Sequence, residues 1–233
     1  AYRPSWPICA RNRPSMPISQ PFSGSLPTML PDIVTPNSAS QKNSKAPNDS
    51  ATSASAGVNI ARHNTPNSVL TMQRKPRLVQ ALVQLNGAVM DPDGEVDLGF
   101  RRLIGHVASQ VSGCRYCQAH TLLGAHNFGV SAAKLADTWT YASSPHYSPR
   151  ERLALDFALA AARQPNEVTD AQFAELQQHW SDGEITEILG VVAMFAFLNR
   201  LNDTLGTPLE APAATVAQQA LGAQGWTPGK HAA

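Results

Sequence analysis

Residues 97–121 read DLGFRRLIGHVASQVSGCRYCQAHT, and the fold turns on how they are read. Leu98, Leu103, Val107 and Val111 share one stripe at helical spacing, which predicts a helix over 97–112. Gly113 ends that helix, because a residue without Cβ enters the left-handed conformation at little cost. Cys114 therefore opens the next helix, which runs to about His126 and stops before Gly129. Outward from this pair, KPRLVQALVQLNGAVM at 75–90 carries Pro76 near its start and Leu78, Ala81, Leu82 and Leu85 on one face. Three later starts place a hydroxyl three residues before Glu or Gln: Ser148 with Glu151, Thr169 with Gln172, and Ser181 with Glu184. They predict helices over 149–163, 170–180 and 182–205, the last nearly wholly apolar and central. A weaker helix follows at 213–221. No stretch alternates with period two, so the expected class is all-α with short connections.

Composition changes sharply near residue 58. Residues 1–58 hold nine of the 18 prolines and eleven serines without hydrophobic period, so they cannot bury enough apolar surface to offset ordering entropy. The expected organisation is a disordered Pro/Ser-rich leader at 1–58, an all-α domain at 59–212, and a C-terminal helix and tail at 213–233. The leader has no continuous apolar core and no A-x-A site, so no secretory signal is read and the expected location is cytoplasmic. With 18 basic and 17 acidic residues the net charge is +1, which gives no field to draw nucleic acid or an anionic membrane. The longest apolar run, 188–198, is too short to span a bilayer.

Cys114, Cys117 and His120 form a CxxCxxH pattern. Attached haem requires histidine directly after the second cysteine, and Gln118 stands there. Structural zinc requires four ligands, which Cys114, Cys117, His120 and His126 would supply, although the sequence between them is helical rather than the tight, glycine-rich turn of a zinc knuckle. Thiol redox chemistry asks for less. Residues three apart on a helix share a face, close enough for a disulfide when the first lies in the frayed first turn. The helix N-terminus and Arg115 favour a thiolate, and His120, one turn beyond Cys117, is placed to take its proton. Small core cysteines beside an ordinary histidine remain a further reading.

The segments HVASQVSGCRYCQAHT, SPRERLALDFALAAA and LNRLNDTLGTPLE resemble the alkylhydroperoxidase D (AhpD)-like / carboxymuconolactone decarboxylase family, in its CxxCxxH branch, over about residues 60–210. The resemblance implies an AhpD-like helical fold, homo-oligomeric assembly and a thiol peroxidase with no bound cofactor. In that scheme Cys117 is the peroxidatic thiolate that attacks a hydroperoxide, Cys114 resolves the sulfenic acid as a disulfide, His120 is the general base, and an external dithiol reductant resets the pair. The alternatives are a decarboxylase-like enzyme that does not use the thiols, and a non-catalytic helical protein with a Cys2His2 zinc site.

Three positions depart from the family pattern. The proton-relay glutamate about twelve residues before the first cysteine is here Arg102. The histidine between the cysteines is Tyr116, and the base falls three rather than four residues after the second cysteine. His106, one turn beyond Arg102, is therefore a candidate to orient His120 or a bridging water. Asn199, Asn202 and Asp203 are polar positions on the otherwise apolar last long helix, read as ordering the site or capping the helix end.

Overall fold

The computed structural model describes residues 65–233. The leader read at 1–58, with Cys9, lies outside the described residues, as does His63. All described residues belong to one compact unit, Ile60–Ala233. Among them the chain forms nine α-helices and no strand: α1 Asn67–Met72, α2 Pro76–Val89, α3 Leu98–Val111, α4 Arg115–Asn127, α5 Ala132–Ala136, α6 Pro149–Ala162, α7 Asp170–His179, α8 Asp182–Leu205 and α9 Ala211–Leu221. The expected helices end within one or two residues of their predicted limits; α1 and α5, each about one turn long, carry too little periodicity to be read.

The antiparallel pair α3–α4 forms the centre. α8 and α6 pack across α3, α9 lies along α4, and α7 covers α6. Ile104, Val107, Leu122, Leu155, Ile188 and Val191, one or two from each of the central helices, are fully buried between them. Full burial of each such side chain contributes about 2 kcal/mol of transfer free energy before entropy is subtracted. Among the described residues no helix is long and apolar enough to cross a membrane.

Local chemistry sets the helix ends. Ser148 and Ser181 form complete capping boxes with Glu151 and Glu184, whereas Thr169 accepts only from the Gln172 amide without a reciprocal bond. Asp97 caps α3 through the Phe100 amide. One expectation fails: the face of α2 that should pack inward stays open, with Leu78 and Leu85 exposed. Although this helix has a clear apolar stripe, it meets mainly α8, and one neighbouring helix cannot cover both sides of the stripe.

A buried cation ties α2 to α8. Arg101 is inaccessible, donates to the Val89 and Asp91 carbonyls at 3.2 and 2.9 Å, and pairs with Glu187 at 2.9 Å. Glu187 also accepts from the Glu95 and Val96 amides, at 2.9 and 2.8 Å. Gly94 lies against the guanidinium, where a Cβ would stand 1.9 Å from its nitrogen, so the loop passes the cation only as glycine.

Candidate active site

The α3–α4 junction places the cysteines. Gly113 has φ +74°, its amide donates to Gln110 O at 3.1 Å, and the Cys114 amide donates to Ser109 O at 3.2 Å, the two bonds of a Schellman stop. The next helix begins on the same residue, with Cys114 Sγ accepting from the Cys117 amide at 3.4 Å. Cys114 therefore closes α3 with its amide and caps α4 with its sulfur. Neither role leaves its side chain free to turn outward, and both Cys114 and Cys117 are buried, free thiols.

The two sulfurs sit in different electrostatic surroundings. Hydrogen bonds from the Cys117 side chain and amide outweigh burial at Cys114 and lower its pKa. Burial dominates at Cys117 and raises its pKa well above the ordinary value, with the neighbouring Cys114 adding to the rise. Of the two thiols, Cys114 is the one whose surroundings ease loss of its proton. Cys117 Sγ also lies 3.5 Å from Asn202 Nδ2. Asn202 is held by the end of α8: its carbonyl takes the Thr207 amide past Gly206, and its Oδ1 takes the Thr207 hydroxyl at 3.0 Å. That leaves only its N–H group to face the sulfur, so Asn202 does both things read for the polar end of α8.

His120 does not stand alone. Its Nε2 lies 2.6 Å from Glu210 Oε2, a short hydrogen bond at the half-buried edge of the site. Glu210 Oε1 accepts from Tyr116 Oη at 3.0 Å and from the Asn67 amide, and Tyr116 Oη accepts from the Ser68 amide at 3.2 Å. The Tyr116 and His120 rings pack in a tilted arrangement with centroids 4.4 Å apart. Burial alone would raise the Glu210 carboxyl, but the His120 hydrogen bond and the Asn67 amide bring it from 4.5 down to about 2. The carboxylate absent at Arg102 is thus present from the other end of the chain. Arg102 itself packs its stem on Gly124, and its guanidinium lies over the Phe128 ring.

His106 is brought to α4 but not to His120. Its Nδ1 stands 3.2 Å from both Gln118 O and Thr121 Oγ1, in a site that excludes solvent. Burial lowers its pKa from 6.5 to about 4, so the ring is neutral at pH 7 and fastens α3 to the turn of α4 behind the cysteines. The unfolded chain takes up this proton near 6.5 and the folded chain only near 4, so stability is full above 6.5 and is lost as pH falls between them. The expected loss is roughly 3 kcal/mol at pH 4 relative to pH 7. Urea midpoints at the two pH values measure it, and His106→Gln should flatten the dependence over this window.

The zinc set read from the sequence does not assemble. His126 is exposed at the far end of α4, three turns from Cys114. Among the described residues the one convergent trio of His, Cys, Asp or Glu atoms is Cys114, Asp203 and His231, with all three atoms within 4.8 Å of one another. Glu210 and His231 were not singled out from the sequence. Both lie far along the chain from the cysteines in segments without helical period, although Glu210 closes the family-like stretch LNRLNDTLGTPLE.

Residues 76–160 match the model of the Carboxymuconolactone decarboxylase family. The chain is 28% identical over 110 residues to the uncharacterized protein YnjA of Escherichia coli K12, covering 47% of this chain and only about 60% of that protein's length. Among solved structures it is similar to the debrominase Bmp8, at 28% identity and a TM-score of 0.63, covering 66% of this chain and 82% of Bmp8. A cysteine-to-alanine variant of Bmp8 in complex with 2,3,4-tribromopyrrole gives a TM-score of 0.64. It is also similar to the AhpD core of an uncharacterized peroxidase-related protein from Ralstonia eutropha JMP134, at 28% identity and a TM-score of 0.58, covering 64% of this chain and 79% of that one. The helical domain that holds Cys114, Cys117 and His120 thus has the AhpD-like fold, and its residues 76–160 are similar to the carboxymuconolactone decarboxylase family.

Proposed function

We propose that the chain is a thiol-dependent oxidoreductase that delivers two electrons from Cys114 and Cys117 to a hydroperoxide. The observation that carries this reading is the placement of the pair: Cys114 Sγ caps α4 and accepts from the Cys117 amide at 3.4 Å, and Cys117, also a free thiol, stands one turn away. The contacts favour Cys114 as attacker, which exchanges the roles that the family resemblance implies. The Cys114 thiolate attacks the terminal peroxide oxygen, the O–O bond breaks, and the alcohol leaves with a proton. Cys117 then attacks the sulfenic sulfur, the S–S bond forms and water leaves, and an external dithiol returns the two electrons. His120, paired with Glu210 at the water-facing edge, exchanges the protons with solvent.

The likeness to Bmp8 favours a second reading, reductive debromination of an aromatic bromide. The same dithiol would supply two electrons and end as a disulfide, with bromide as leaving group. One experiment separates the readings. The reduced protein is mixed with one equivalent of cumene hydroperoxide or of a bromopyrrole, and thiols and free bromide are counted. The expected result is loss of two of the three thiols with the hydroperoxide and no bromide release. Bromide release with loss of two thiols selects the second reading, and retention of all three thiols with both compounds rejects the dithiol chemistry. Glu210→Gln should keep the thiol stoichiometry and slow the reaction by about 10²-fold, the lower end of what one general acid–base contribution supplies.

A further inference from the structure

We infer that His231 is the proton-holding partner of Cys114, and that Asp203 positions it. This rests on the dithiol reading above and assigns to one of its sulfurs an acid–base pair separate from His120 and Glu210.

The C-terminal segment folds back so that His231 is buried beside the start of α4. Its carbonyl accepts from the Leu209 amide and its Nδ1 lies on Thr207 O, both at 2.8 Å. A carbonyl can only accept, so Nδ1 carries a hydrogen and the ring cannot turn without breaking that bond. Nε2 has no hydrogen-bond partner among the described residues and stands 3.6 Å from Asp203 Oδ1, in a cluster where a His231 ring nitrogen, an Asp203 carboxylate oxygen and Cys114 Sγ all lie within 4.8 Å of one another. Around a bare Nε2 the Cys114 thiol is the group with a hydrogen to give, and neither Nε2 nor the Asp203 carboxylate can supply one. Once that proton has passed to Nε2, the imidazolium faces Asp203 Oδ1 and stands beside the new thiolate, where opposite charges in a low-dielectric setting favour each other.

The charged and titratable groups around Nε2 are Asp203 from α8, Lys230 next in the chain, and Cys114, Cys117 and Tyr116 from α4. Lys230 occupies the second Asp203 oxygen at 2.8 Å, leaving Oδ1 to the histidine. The Tyr116 ring lies 6.0 Å from the His231 ring and 4.4 Å from the His120 ring. In the reaction the Cys114 proton passes to Nε2 as the thiolate forms. It leaves on the alkoxide oxygen when the O–O bond breaks, so the ring ends neutral, as it began.

The test reads Cys114 directly and needs no peroxide. Carboxamidomethylation of the reduced full-length protein by iodoacetamide is followed against pH, with the modified cysteine assigned by peptide mass. In the unaltered chain the Cys114 rate should titrate below the free-thiol value of about 8.5. His231→Gln keeps an N–H group for Thr207 O but holds no proton; it should lower the rate at pH 7 about tenfold and move the midpoint toward that value. Asp203→Asn discriminates further. A carboxylate that merely repels the thiolate predicts a faster Cys114 on its removal, whereas a positioning carboxylate predicts a slower one, which is the expected result. An unmoved midpoint in His231→Gln, or acceleration in Asp203→Asn, overturns the assignment. So does one equivalent of zinc in the purified protein that His231→Gln loses, since the shared cation would then be the metal. Should His231→Gln fail to fold, the direction of the Asp203→Asn effect decides alone. Failure to consume hydroperoxide with the alkylation shifts intact would end the peroxidase reading and leave this one standing.

Discussion

Cys114→Ser is expected to abolish turnover with hydroperoxide, by about 10³-fold or more, the scale on which enzymes lose activity when their nucleophile is removed. The substitution is a clean one. Serine is among the best residues at a helix N-cap, so the hydroxyl can take over the Cys117 amide that the sulfur now holds, and the amide side of the residue still closes α3. Loss of activity would then report the missing thiolate rather than a frayed helix. Cys117→Ser should behave differently. The first step survives, one equivalent of peroxide leaves a sulfenic acid on Cys114 that dimedone traps, and turnover stops because no disulfide can form. Peptide mapping of the dimedone adduct is the measurement. An adduct on Cys117 in the Cys114→Ser protein would restore the roles implied by the family resemblance. Full turnover in both variants would move the chemistry away from the thiols altogether, as expected of a decarboxylase-like enzyme.

The largest expected effect on stability lies elsewhere, at Arg101→Ala. Removing the guanidinium strands the Val89 and Asp91 carbonyls and leaves the Glu187 carboxylate with only the Glu95 and Val96 amides. Breaking one side of such a pair costs about 3 kcal/mol here, at the lower end of the buried range because Glu187 is partly open to water. For a chain of this size that corresponds to a fall of roughly 10 °C in Tm, readable by calorimetry or by circular dichroism at 222 nm. Arg101 and the cysteines occupy opposite ends of α3, so the rate of Cys114 alkylation at 20 °C should not change in Arg101→Ala. A loss of less than about 1 kcal/mol would mean that the carbonyls and Glu187 find water as readily as they found the cation.

Most of the fold was legible because its signals are local. Gly113, the hydroxyl caps of α6 and α8 and the apolar period of α3 each act within a few residues, and the helices they delimit match the sequence closely. The burial of α2 was not legible, because period says which face is apolar and not whether a neighbour arrives to cover it. The site divides in the same way. Cys114, Cys117 and His120 share two turns of one helix and could be read from spacing alone. Arg102 could be read only as a departure; where the missing carboxylate had gone was a question of topology, answered by Glu210 arriving with the turn before α9. His106 shows the converse: its place on the helix face was right, but burial beside the Gln118 carbonyl, which no spacing rule reports, made it a neutral fastening.

The order in which the parts of the site leave the ribosome follows from where they sit in the chain. The α3–α4 pair, with both thiols, emerges first and can close its own Schellman turn and sulfur cap as soon as it is free. Glu210 and His231 arrive only after α5 to α8 have been made, and reach the thiols when their segment folds back over α4. A chain still short of Glu210 therefore carries the cysteines without either partner. The dithiol meets these groups only once that segment has docked, so the same fold-back that covers the pair also completes its surroundings.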